Sequence, residues 1–170
     1  KGKDKDFDFQ KAYNPYDFSG LRACEARVWS FFRTFDKNMD KYKKHIMGDA
    51  SEEPMPLYII PDRKVILADV REGMCNHYEG TELSMTNDPG AGVYKVPYRW
   101  RPMTFKSEGR EYFNERAIAT QQTGFVLIAQ MRSWLPDAVG GILWFGVDDA
   151  NTAVLTPMYT SITEIPECYR

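Results

Sequence analysis

The 170-residue chain predicts an α+β fold. Three features carry that expectation. Apolar residues at 21, 24, 28, 31, 32 and 35 of LRACEARVWSFFRTF follow a helical period of about 3.6. Two apolar segments, AVGGILWFGV (138–147) and TAVLTPMYTSI (152–162), have strand character. Near residue 92 the chain changes from helical and loop-rich to strand-rich, so helices and strands are segregated along it as in layered α+β proteins. Residues 1–170 are expected to form a single partial domain, with 1–92 as the helical part and 93–170 as a strand-strand-helix-strand-strand core.

Each element has a local reason. NPYDFSG (14–20) is turn material ahead of the first helix. Basic KYKKH (41–45) is a solvated face or helix end, and the prolines of SEEPMPLYIIPDRK (51–64) force irregular or extended backbone. A second helix is predicted in ADVREGMCNHYEG, with Asp69 as cap, Glu72 at the capping-box position and Gly80 as stop. TNDPGAGVYKVPYRWRP (86–102) reads as a long ordered loop, a type often functional within a compact domain. MTFK and REYFNERAIA flank Ser107, Glu108 and Gly109, which is hairpin chemistry. TQQTGFVLIAQMRSWL (120–135) is predicted as a helix, capped by Thr120 and stopped by Pro136. AVGGILWFGV is apolar on both faces of its alternation, as in a strand buried between layers.

Composition narrows the function classes. A net charge of −2 and a pI near 5.8 provide no basic field for a phosphate backbone, so no nucleic-acid partner is expected. No apolar run reaches the 18 residues of a membrane span, and KGKDKDFDFQK has no signal-peptide core. Cys24, Cys75 and Cys168 are odd in number, widely spaced and without a CxxC, which disfavours a zinc site or disulfide framework. The chain starts at Lys1 rather than methionine, and is expected to be a piece of something larger.

Several residues are chemically suggestive. Asp148 and Asp149 in VDDAN suit a strand reversal, and adjacent strand carboxylates point to opposite faces, which disfavours a shared metal ion. Cys75 and His77 are too close in sequence to face one another on a helix. Arg116 lies between a strand stretch and the expected helix start at Thr120, where it could serve an ion pair or, with the Thr120, Gln121 and Gln122 amides, an oxyanion. Arg99, Trp100 and Arg101 could bind an acidic substrate group or tie their loop to the core.

HYEGTELSMTNDPGAG, PYRWRP, ERAIATQQT and especially RSWLPDAVGGILWFGVDDANTAVLTPMY resemble the cysteine dipeptidases of the dipeptidase A type, to which the secernins are related. The resemblance runs from about Phe7 to Tyr169. It implies an N-terminal-nucleophile (Ntn) hydrolase αββα sandwich, with antiparallel sheets between helices, and hydrolysis of a dipeptide amide by an N-terminal cysteine whose own amine is the base. No metal or cofactor is implied. None of the three cysteines stands in the nucleophile motif, so the nucleophile is expected on the remainder of the catalytic domain, and this chain alone is expected to be inactive. The resemblance makes Arg116 the candidate catalytic residue. Arg99, Trp100, Arg101, Thr120 and Gln121 become candidate substrate-binding residues. A secernin-like, non-catalytic protein is the alternative, and a homo-oligomer is left open.

Overall fold

A computed structural model of the chain describes residues 12–99 and 104–170. These divide into two units, one formed by the described residues up to 64 with those of 77–118, the other by 65–76 with 119–170.

In the first unit the predicted helix is present. A helical turn at Phe18–Gly20, capped by the Asp17 carboxylate on the Gly20 amide (2.7 Å), leads through a π turn at Leu21–Glu25 into α1, Ala26–Arg33. The face predicted from the period is only partly the buried one: Leu21 and Phe35 are buried, Cys24, Phe31 and Phe32 half-buried and Val28 exposed, while within α1 the burial falls on Ala26, Trp29 and Ser30. Trp29 packs with Met39, Tyr42, Ile46, Met55, Tyr78, Leu83 and Met85, and its indole N–H donates to the Met39 carbonyl at 2.8 Å. KYKKH spans the end of a 3-10 turn (Lys37–Tyr42) and α2, Lys43–Ile46. Lys41 and Lys44 are exposed, whereas His45 is fully buried beside Glu25. Residues 51–64 are irregular, as their prolines require.

The expected hairpin is formed by β1, Thr104–Ser107, and β2, Arg110–Phe113, with Ser107 paired to Arg110. Glu108 (φ 49°) and Gly109 (φ 75°) are both left-handed, the signature of a type I′ turn. Phe105 and Tyr112 stack across the strands at 5.3 Å.

Residues 77–85 make a reversal that local signals describe poorly. Tyr78 is fully buried with φ 65°, an uncommon conformation for an aromatic residue. Its hydroxyl donates to the Arg116 carbonyl at 2.8 Å, and Met85 N–H returns to the His77 carbonyl at 3.1 Å. The Glu79 carboxylate receives the His77 amide (2.6 Å) and pairs with His77 Nδ1 (3.0 Å).

In the second unit the helix predicted in ADVREGMCNHYEG is α3, Leu67–Met74, shifted toward the N-terminus. Asp69 is its third residue rather than its cap, and its carboxylate accepts the Ile66 amide (2.8 Å), the half of a capping box expected of Glu72. Gly80 is not its stop; it takes a left-handed turn position (φ 73°) beyond the helix.

The helix expected at 120–135 is absent. Residues 120–123 form a turn closed by Thr123 N–H on the Thr120 carbonyl, and β3, Phe125–Met131, follows. Gly124 interrupts the helical reading, and the pairing of β3 with β4, Gly141–Val147, from Phe125↔Val147 to Met131↔Gly141, satisfies its backbone across the sheet. A short α4, Asp137–Gly140, precedes β4, and β5, Thr156–Tyr159, completes the order β3-β4-β5.

Val126 and Ile128 are buried on one face of β3, while Phe125, Leu127 and Met131 on the other are exposed. Val126 joins Ala150 and Ala153 in a small core, with Met74 and Cys75 packed against it. In β4, Ile142 and Gly146 are buried, Leu143–Phe145 half-buried and Val147 exposed, so the strand is less enclosed than its apolar run predicts. A side chain at Gly146 would meet the Val154 carbonyl at 2.9 Å. Asp148 (φ 81°) turns the chain, its side chain accepting the Asp149 amide (2.8 Å), and Asp149's carbonyl receives Thr152 and Ala153.

Trp29→Ala should cost about 3–5 kcal/mol of stability in denaturant unfolding, from lost packing and the orphaned Met39 carbonyl. A loss near zero would show that the indole is not a core pillar. Burial pushes the Glu79 carboxyl up, but the side-chain and amide hydrogen bonds of His77 outweigh it and hold the carboxyl below its ordinary value. A depressed carboxylate stabilises above its unfolded pKa and loses that contribution as pH falls through the folded one. Glu79→Gln should therefore destabilise at neutral pH, with the difference fading below about pH 4; a difference independent of pH would reject this account.

Candidate functional site

In the first unit, residues 114–118 continue from β2 along the core. Glu115 pairs with the buried Arg22 guanidinium, Ala117 is 2% exposed, and Tyr78 holds the Arg116 carbonyl. The backbone at Arg116 is thus fixed from two sides. Its side chain is half-buried, and among the described residues no acceptor is hydrogen-bonded to its guanidinium. A half-buried arginine without a counter-charge favours an anion at that position.

The other arginine of the first unit expected at a site has its donors in use. Arg99 donates to the carbonyls of Val96 (2.7 Å), Tyr98 (3.0 Å) and Met85 (2.6 Å) and pairs with Asp88. Asp88 in turn caps the 3-10 turn at Pro89–Ala91 through the Ala91 amide (3.0 Å). These contacts order the Gly/Pro loop, which is the loop-tying role weighed from the sequence. Trp100 and Arg101 lie outside the described residues.

The 77–85 reversal lies between these two segments, bonded through Tyr78 to Arg116 and through the Met85 carbonyl to Arg99. His77 is 3% exposed and meets the Tyr98 ring edge-on at 5.8 Å. Burial also raises the Tyr78 phenol well above its ordinary pKa, which keeps it a donor toward Arg116. Sequence reasoning gave Tyr78 no role. Its signal was slight, an aromatic between a histidine and a Glu-Gly turn.

Thr120 and Gln121 belong to the second unit, in the turn that replaces the predicted helix start. The free helix amides expected there are therefore absent. Thr120 is half-buried with its hydroxyl on the Gln122 side-chain oxygen, and Gln121 is exposed.

The cysteines lie in three different settings. Cys24 is half-buried in the π turn, and Cys168 is exposed near the C-terminal end. Cys75 ends α3, with its thiol on the Ala150 carbonyl at 3.2 Å, an acceptor that cannot take up a proton as a base would. Among the described residues no three His, Cys, Asp or Glu side chains gather as metal ligands, and no helix is long and apolar enough to cross a membrane. Asp148 and Asp149 form the turn between β4 and β5.

A protein described as "Probable dipeptidase B" from Lactococcus lactis subsp. lactis (strain IL1403) is 28% identical over 168 residues, which cover 95% of this chain and 30% of that protein. A "Probable dipeptidase" from Salmonella dublin is 25% identical over 154 residues, 91% of this chain and 30% of its own length. One from Latilactobacillus sakei is 24% identical over 157 residues, covering 84% and 29%. The chain thus spans about 30% of the length of the curated relatives it matches. No solved structure matches. The model of Peptidase family C69 matches residues 1–170, end to end, and the chain belongs to that family.

Proposed function

We propose that the chain is part of a dipeptidase that cleaves the amide bond of a dipeptide with an N-terminal cysteine carried on a segment outside these 170 residues, on an Ntn-hydrolase framework. The observation that carries this reading is the family match along the whole chain, joined to relatives described as dipeptidases. That none of Cys24, Cys75 and Cys168 stands in the nucleophile motif of the resembled family supports placing the nucleophile elsewhere.

The chemistry requires three things. The cysteine's own α-amine removes the thiol proton, the thiolate attacks the scissile carbonyl, and the oxyanion of the tetrahedral intermediate needs a fixed donor. The amine product then leaves with a proton, and water releases the acyl group. Arg116 is the candidate for a charged role in that cycle. Its backbone is anchored by Tyr78, and its guanidinium is free of acceptors among the described residues, so it can take up a developing oxyanion or orient the nucleophile. Arg99, Trp100, Arg101, Thr120 and Gln121 are the proposed substrate-binding residues. Arg99 would act by holding the 86–99 loop through its bonds to Asp88 and Met85, and Thr120 and Gln121 by side-chain contacts instead of helix amides.

The decisive experiment is hydrolysis of a broad dipeptide panel by the full-length protein processed to a cysteine N-terminus. No turnover of any dipeptide would reject the reading, and a mature N-terminus without cysteine would favour a non-catalytic, secernin-like protein. Arg116→Ala in that enzyme should lower kcat by about 10²- to 10³-fold without unfolding it. Wild-type kinetics would make Arg116 structural. The isolated 170-residue chain should be inactive, and reproducible turnover by it would place the nucleophile within these residues.

A further inference from the structure

The RSWLPDAVGG segment carries a charged group that the proposed chemistry does not use. Arg132 directly follows β3, and its amide bonds the Gly140 carbonyl at 2.8 Å, which fixes its backbone against the start of β4. Its guanidinium has one acceptor among the described residues, the Val139 carbonyl. Among the described residues the Nε–H is buried without an acceptor, and no carboxylate pairs with the group. A half-buried cation in that state carries an unmet demand for a counter-charge.

The same side chain borders a cavity of about 490 Å³ within the second unit. Leu135, Val139, Pro157, Tyr159 and Ile162 form its apolar walls. Val139, Tyr159 and Ile162 are each at least 40% exposed, so these walls are open to a ligand. Arg132 also borders a smaller cavity of about 330 Å³ that Ser133, Asp137 and Thr160 help to line. Planar guanidinium donors beside an apolar recess suit a small carboxylate bearing an apolar side chain, because the fork matches the two carboxylate oxygens while the recess takes the hydrocarbon.

We infer that Arg132 receives the free carboxylate of the dipeptide substrate, with the side chain of its C-terminal residue in the cavity walled by Leu135, Val139 and Ile162. This assignment rests on the dipeptidase reading and adds a specificity determinant to it. An enzyme of this kind would reject longer peptides and blocked termini, since an amide in place of the carboxylate leaves the guanidinium unpaired.

The test uses the full-length protein with Ala-Leu and its C-terminal amide. The wild type should favour the acid over the amide by about 10- to 100-fold in kcat/KM, the range of a charge-assisted hydrogen-bond pair. Arg132→Ala should collapse that ratio to near one, chiefly through KM for the acid, and Arg132→Lys should restore part of it. A folded Arg132→Ala that keeps the wild-type ratio would overturn the inference. So would a wild type that cleaves acid and amide equally well, a result that needs no variant to fold. If the wild type cleaves neither, Ala-Leu is not a substrate, and the dipeptidase reading is judged separately by the dipeptide panel. The site is then read by calorimetry with N-acetyl-leucine against its amide, where tighter binding of the acid supports it and equal or absent binding overturns it.

Discussion

The hydrogen bond from the buried Tyr78 phenol to the Arg116 carbonyl is the constraint on which the first unit's candidate site depends. A fully buried phenol left without an acceptor would cost about 1–3 kcal/mol, so the chain at 116 must be where Tyr78 can reach it. Tyr78 is itself held in a left-handed conformation, between the Glu79 carboxylate that gathers the His77 amide and the bond from Met85 to His77. The strain of one residue is thus distributed over a reversal whose purpose, in physical terms, is to deliver a hydroxyl to one carbonyl. With that carbonyl fixed and Glu115 paired to Arg22, the backbone from which the Arg116 side chain departs is held in place.

The arginines sort by what their surroundings demand. Arg22 lies in the core, where burial alone lowers its pKa, and it is tolerated there because Glu115 supplies the opposite charge. Arg99 spends its donors on carbonyls and Asp88, which turns a glycine- and proline-rich loop into an ordered one. Arg116 and Arg132 lack acids among the described residues. Charge in a protein interior is costly, and sites where it is retained without a partner are places where a ligand is the natural complement.

What the sequence disclosed followed the range of the forces involved. The helix through Ala26 and Trp29 and the turn at Glu108 and Gly109 are decided within a few residues, and both were legible. The strand at Phe125–Met131 was not, because Thr120 and Pro136 mimic helix boundaries, whereas the deciding term is the ladder to residues 141–147, supplied from outside the segment. That error also hid Arg132, which a helix would have placed as an ordinary surface cation. At the candidate site, Arg116 could be singled out by its position after a strand, but the reasons for its placement could not. Tyr78 is separated from it by 38 residues, and nothing in the spelling of HYEG announces so distant a partner.

The sheet formed by β3, β4 and β5 has a further thermodynamic consequence. One face of β3 is buried through Val126 and Ile128, yet Phe125, Leu127 and Met131 on the opposite face meet water. Hydrating such side chains near room temperature is chiefly an entropic cost, and its mark is a raised heat capacity. Any process that covers this face would therefore be driven more strongly on warming than on cooling, and would register calorimetrically as a fall in heat capacity even where its enthalpy is close to zero.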